Sequence, residues 1–125
     1  MDLRNINILV LAYLGDTIYE DYIRKYLILS GISNVNDLQS NSINYVSAKS
    51  QAKFLTELMS SDFFTDEEVD VIMRARNNKS SSHPKNCDIV TYKYATGLEA
   101  LIGYLELSDR RNRIDEITDY ILGGK

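Results

Sequence analysis

Leu11-Ala12-Tyr13-Leu14-Gly15-Asp16-Thr17-Ile18-Tyr19-Glu20 drops an acid into the middle of an otherwise oily segment. From Ile6 to Leu29 apolar residues recur on nearly every face, which predicts one long helix buried on most sides rather than an amphipathic surface helix. Asp16 then stands where a carboxylate is expensive and needs hydrogen bonds, a cation or access to water. Gly15 removes a side chain beside it, so another helix or a ligand can come close. Glu20 lies one turn on, with its side chain on a similar face. A purely structural account is also open, in which Glu20 pairs with Arg24 at the next turn and Asp16 caps a helix break at Gly15.

With 125 residues, 44% of them hydrophobic and 26% charged, the chain is expected to fold as one domain over residues 1–125, without disulfide staples. Its single cysteine, Cys87, excludes an internal disulfide and fits a reducing compartment. A nucleophilic Cys87 with His83 as its base finds no accompanying acid or oxyanion pattern. At the N-terminus, Arg4 and the run Ile8 to Leu14 imitate a signal peptide. The run is too short to span a bilayer and ends in Gly-Asp-Thr, so a cytoplasmic protein with no membrane partner is expected.

Beyond the first helix, Ser30-Gly31 is a stop, and Ser33-Asn34 or Asn36-Asp37 can cap a short helix ending near Gln39. Asn41 to Ser60 reads as another helix, with Ile43, Val46, Ala48, Ala52, Leu55 and Met59 as its apolar stripe and Lys49 and Lys53 together on another face. Stacked lysines usually mark a solvated face. Thr65-Asp66-Glu67-Glu68 has the signature of a capping box, which accounts for the densest acidic run without a binding role. The helix it opens ends in Met73-Arg74-Ala75-Arg76, and residues Asn77 to Asn86 lose all periodicity around the one proline, Pro84.

Charge singles out this region. Ile72 to Lys93 holds five basic residues, Arg74, Arg76, Lys79, Lys85 and Lys93, against the single acid Asp88, a local +4 on a chain of net −4. A basic loop on an acidic body suits a surface that meets a polyanion. Asn77, Asn78, Ser80, Ser81, Ser82 and Asn86 add donors of the kind used on phosphates and sugar hydroxyls. The plain alternative is a solvated helix end whose arginines complement the dipole.

The last long helix, about Asp88 to Leu107, carries Thr96, Glu99 and Gly103 on one face bordered by Ala100. That face is small except for one acid. It can press against the Gly15-Asp16 side of the first helix and bring Glu99 to Asp16. A final helix, Arg110 to Leu122, has the stripe Ile114, Ile117, Ile121 and stops at Gly123-Gly124. Two acids in a dense helical core, with no Cys or His cluster, suit a hard cation with oxygen ligands, most plainly Mg2+ keeping several waters. With a basic loop leading into the same helix, nucleic acid is the natural substrate.

Leu14-Gly15-Asp16 in a first long helix and Leu98-Glu99-Ala100-Leu101-Ile102-Gly103 in a later one resemble the two catalytic segments of the ribonuclease III family. More narrowly, the chain is similar to its Mini-III branch, made of the nuclease domain alone. That resemblance runs through Leu11 to Asp16, Val46-Ser47-Ala48-Lys49-Ser50-Gln51-Ala52, Arg74-Ala75-Arg76-Asn77-Asn78-Lys79-Ser80, Pro84-Lys85-Asn86, Thr91 to Thr96 and Glu99 to Tyr104, in order over nearly the whole chain.

The resemblance implies an all-α, ribonuclease III-like endonuclease domain. It further implies a helical bundle forming a homodimer that binds double-stranded RNA along a valley and cuts it with divalent metal, Mg2+ or in its place Mn2+. Mini-III enzymes lack a separate double-stranded-RNA-binding domain and trim paired ends of precursor large-subunit ribosomal RNA, aided by a ribosomal protein. By position, Asp16 and Glu99 become the catalytic acids and metal ligands, with Glu20 as a further candidate ligand. Arg74, Arg76, Asn77, Lys79, Lys85 and Asn86 become the RNA contacts. The larger family has two more acids where this chain has Ala12 and Thr96, which leaves more of an ion's shell to water or to Glu20. A noncatalytic RNA-binding or ribosome-assembly module with the same fold is the alternative. Asp16 and Glu99 in an apolar setting favour the enzyme, since a scaffold would be more stable with Asn, Ala or Leu there. A purely structural dimerisation module leaves the basic loop unexplained.

Overall fold

The computed structural model describes residues 2–79, 85 and 87–123, and among these all regular structure is helical. A 3₁₀ turn, Leu3–Asn5, precedes α1 (Ile8–Leu29). Asn7 caps α1 by accepting the Leu9 N–H at 2.8 Å, so the helix starts two residues after the apolar run does. It runs unbroken through Gly15, and Asp16 caps nothing there. The helix ends at Ser30, followed by Gly31 at φ 107°, a left-handed stop that suits glycine.

Burial of α1 is one-sided, which corrects the expectation of a helix enclosed on most faces. Leu11, Ala12, Gly15, Ile18, Tyr19, Ile23 and Leu27 point inward, while Val10 is 56% and Tyr13 82% exposed. The outer face is itself apolar near its start, so hydropathy alone did not distinguish it from the core face. Asp16 lies on the exposed side.

The segment between residues 35 and 60 divides differently from its sequence reading. Helices α2 (Val35–Val46) and α3 (Ala48–Ser60) meet at Ser47, whose extended backbone (φ −64°, ψ 152°) breaks the helix and whose hydroxyl accepts the Ser50 N–H at 3.2 Å. Asn34 caps α2 by accepting from Asn36 and Asp37. The break at Ser47 rephases the second half. Ile43, expected in the stripe, is 60% exposed, and the buried positions of α3 are Gln51, Leu55 and Leu58.

Helix α4 (Asp66–Arg76) opens with the capping box the sequence predicts, Thr65 and Glu68 bonding each other's backbone N–H. Glu68 does more than cap. It is buried and bound by Arg113 of α6 (Arg111–Ile121) at 2.7 and 2.9 Å, while the same guanidinium donates to the Phe63 carbonyl and covers the Phe63 ring at 4.3 Å. Glu67 meanwhile takes two bonds from Arg110 and one from the Tyr104 hydroxyl. The acidic run therefore locks α4 to the start of α6 as well as complementing its own dipole. In α6 the predicted stripe Ile114, Ile117, Ile121 is buried, and Gly123 follows at φ 116°; Gly124 lies outside the described residues.

Helix α5 (Ile89–Leu107) is the axis of the bundle, packed against α1, α3, α4 and α6. Every residue from Ala95 to Leu105 is buried except Glu99. The small face expected to meet α1 does so, and the two backbones nearly touch. A Cβ on Gly15 would lie 1.7 Å from the Glu99 carbonyl oxygen, and one on Gly103 would lie 2.0 Å from that of Leu11. Two glycines one above the other thus set the α1–α5 separation.

Candidate active site

The glycine crossing brings the two singled-out acids together. Asp16 follows Gly15 on α1, and Glu99 supplies the very carbonyl that Gly15 approaches, so each carboxylate projects from the tightest part of the contact. Asp16, and more weakly Glu20, lie near enough to act on the Glu99 carboxyl. Burial, then Asp16, then Glu20 disfavour a charge on Glu99, and its carboxyl is pushed up to about 8. The expense of burial that the sequence placed on Asp16 therefore falls on Glu99, because α5 is enclosed and α1 has an open face.

Glu20 is shared. It forms an ion pair with Arg24 at 2.8 Å, as the structural account of α1 expected, while remaining part of the negative field at Glu99. Ala12 and Thr96 are both buried, and the Thr96 hydroxyl donates to the Tyr92 carbonyl of its own helix, so neither adds a carboxylate. Tyr19, fully buried, lies close enough to Glu99 to feel its charge and donates to the Tyr45 carbonyl at 2.7 Å.

Gln51 is a member that the sequence reading missed. It is 2% exposed, its amide donates to the Val46 carbonyl at 2.9 Å, and its influence on the Glu99 carboxyl favours the charged form. The signal was a polar residue one turn before Leu55, on the inward face, but a stripe read in the wrong phase concealed it.

Carboxylate oxygens of this kind fit a hard divalent ion. Burial and a neighbouring acid push the Glu99 carboxyl up to about 8, and a cation bound there would favour its ionised form. The described residues contain no group of three or more His, Cys, Asp and Glu side chains placed to hold a metal, so an ion at Asp16 and Glu99 would keep much of its water.

The basic residues are less unified than their spacing suggested. Arg74 turns toward the start of α1 and donates to the Arg4 and Ile6 carbonyls, each at 3.4 Å. Arg76 goes the other way, over the Tyr94 ring at 5.6 Å, bonding the Tyr94 hydroxyl and the Asn77 side chain. Lys79 and Lys85 are exposed. Asn86, the serines Ser80 to Ser82 and His83 lie outside the described residues, so the Cys87–His83 pairing does too. Lys49 and Lys53, which read as a solvated face, line an open groove of about 720 Å³ with Thr91 and Tyr94.

Residues 9–110 match the ribonuclease III domain model, a span that includes both acids, Gln51 and the basic loop. The chain belongs to the ribonuclease III family. Among its relatives, this ribonuclease III chain is 41% identical to the Mini-ribonuclease 3 of Enterococcus faecalis over 121 residues, covering 97% of this chain and 92% of that one. The Mini-ribonuclease 3 of Staphylococcus aureus is 44% identical, over 94% of this chain and 87% of the relative, and that of Brevibacillus brevis 49% identical, over 89% and 81%. The ribonuclease III fold here also superposes on the crystal structure of a Fusobacterium nucleatum protein with a TM-score of 0.86 at 33% identity, covering 98% of this chain and 97% of that one. No described helix of the chain is long and apolar enough to cross a membrane.

Proposed function

We propose that this chain is a Mg2+-dependent endoribonuclease of the Mini-III type, cutting double-stranded RNA stems such as those of precursor large-subunit ribosomal RNA. The observation that carries the reading is the Asp16–Glu99 pair at the glycine crossing, in a chain whose relatives are named Mini-ribonuclease 3. Asp16 and Glu99 would hold the ion, with Glu20 at the edge of its water shell. A divalent ion bound there supplies a Lewis acid for the phosphodiester and an activated water.

The chain's own residues do the rest. Glu99, set in an otherwise buried helix, and Asp16, on the open face of α1, combine a rigid ligand with one that substrate can reach. Lys79, Lys85, Arg76, Asn77 and Asn86 would hold RNA phosphates and sugars, with Arg74 at the margin because two backbone carbonyls already occupy it. Tyr13 and Val10, exposed one and two turns before Asp16, support a homodimer closing over that face and lining the substrate valley from both copies. Residues 1–125 act as one nuclease domain, working in the cytoplasm with a large-subunit ribosomal protein as helper.

Cleavage of a labelled RNA duplex tests the reading. Mg2+-dependent cutting that chelator stops, and that Asp16→Asn or Glu99→Gln abolishes while duplex binding persists, is the expected result. A folded protein that binds duplex but never cuts, even on a ribosomal precursor stem with a helper present, would leave a noncatalytic RNA-binding module.

A further inference from the structure

Cations are sorted along this chain. Those held by carboxylates stand toward its two ends, Arg4, Arg24 and Lys25 before α2 and Arg110, Arg111 and Arg113 at the start of α6. From Lys49 to Lys93, no lysine or arginine forms an ion pair among the described residues. The densest acidic run lies inside that stretch, but Glu67 and Glu68 turn to Arg110 and Arg113 instead. Positive charge is thereby left uncompensated in the middle of an acidic chain.

Part of that charge lines a groove. Lys49, Lys53 and Ser60 of α3 form one wall of the open groove of about 720 Å³, and Thr91 and Tyr94 of α5 form the other. From Lys49 to Ser60 the α3 wall runs for about 16 Å, which suits an extended polyanion better than a single anion. Lys49 and Lys53, both exposed and one helical turn apart, repel each other unless an anion lies between them. Glu57 is the one acid of the lining, and Lys53 forms no ion pair with it. On the α5 wall, Arg76 covers the Tyr94 ring at 5.6 Å and donates to its hydroxyl at 3.2 Å, so the groove is continuous with the basic end of α4. Thr91 precedes Glu99 on the same helix by about 12 Å of rise, well within the length of a short duplex.

We infer that the α3–α5 groove is a further contact for the sugar-phosphate backbone of duplex RNA, where Lys49 and Lys53 neutralise phosphates of one strand beside the hydroxyls of Ser60, Thr91 and Tyr94. This rests on the reading of the chain as a nuclease for double-stranded RNA. It carries the RNA footprint from the basic loop onto α3, whose lysines the sequence left as a solvated face.

Lys49→Gln, Lys53→Gln and the double variant test it, with Lys25→Gln as a control of equal charge whose lysine is paired with Asp21. The readout is duplex affinity by fluorescence anisotropy over a range of salt, in chelator so that nothing is cut, on protein whose melting temperature shows that it is folded. Each single variant should reduce the slope of log affinity against log salt by about 1, and the double variant by about 2. The wild type's advantage over the double variant should accordingly shrink roughly tenfold between about 50 and about 200 mM salt. Lys25→Gln should keep the wild-type slope. A folded double variant with wild-type affinity and slope would overturn the inference and leave the groove to an acidic protein or to solvent. An equal fall in slope for Lys25→Gln would also overturn it, because net charge and not this groove would then set the binding. If the wild type binds no duplex, the nuclease reading itself fails and takes this inference with it.

Discussion

The backbone of Gly15 passes so close to Glu99 that a Cβ on Gly15 would sit 1.7 Å from the Glu99 carbonyl oxygen and 2.6 Å from its carbon. Backbone cannot yield as the tip of a side chain can, so any larger residue must push α1 off α5. Gly15→Ala is expected to lower stability by about 3 kcal/mol or more, measured by urea unfolding. Any variant that still folds should need more Mg2+ for cleavage, because the same displacement parts Asp16 from Glu99. An alanine with wild-type stability would show that the crossing is looser than its geometry.

Glu99 makes metal-free protein sensitive to alkali rather than acid. Its carboxyl ordinarily titrates at 4.5 and is held at about 8 in the fold by burial and by Asp16. Between those values the native chain keeps a proton that the unfolded chain has released, so stability falls as pH rises through this window and levels off above it. Glu99→Gln carries no such proton. In chelator it should melt above wild type at pH near 8.5 and show no advantage at pH near 4, with scanning calorimetry as the check. Mg2+ should narrow the gap by stabilising the wild-type carboxylate alone.

The Glu68–Arg113 pair behaves in the opposite sense. Burial pushes the Glu68 carboxyl up, but bonds from Arg113 and the Thr65 N–H outweigh it and hold it below its usual value of 4.5. Stability from this pair is complete above the unfolded value and is lost as pH falls through the lowered one. Arg113→Met removes one partner of a buried pair and strands the other, a loss of about 3 kcal/mol at neutral pH by chemical denaturation. Cleavage of duplex at saturating Mg2+, below the variant's melting temperature, should be unaffected.

On the RNA side, Lys79 and Lys85 are exposed and their contributions are expected to be electrostatic. Each alanine substitution should weaken duplex binding without changing cleavage position, and should reduce the slope of log affinity against log salt by about 1. Arg76→Ala should cost more than either, since it also loses its stacking on Tyr94. Equal slopes for wild type and both lysine variants would remove the loop from the RNA surface.

Tyr13 presents 82% of its surface to solvent one turn before Asp16 and Thr17, a large aromatic exposure for a single copy of the chain. Tyr13→Glu should shift the molecular mass measured by light scattering from two copies toward one and reduce double-strand cleavage with it. A wild-type protein of single-chain mass would sink the homodimer.

Much of this protein could be read along the chain. The capping box at Thr65 and Glu68, the stops at Gly31 and Gly123, and the small face of α5 are local features, because caps and left-handed turns depend on residues within one helical turn of each other. The pairing of Asp16 with Glu99 was also legible, since glycine beside one acid and glycine one turn after the other mark a close crossing. What hydropathy could not give was the side of α1 that faces out, because both its faces are apolar near the start. Nor could it place the break at Ser47, where one serine closes α2 and caps α3. Only the packed bundle decided that Glu99 is the more enclosed of the two acids, and that Gln51 of α3 is buried. Burial and orientation belong to contacts between helices far apart in sequence, and a periodicity read within one helix holds no record of them.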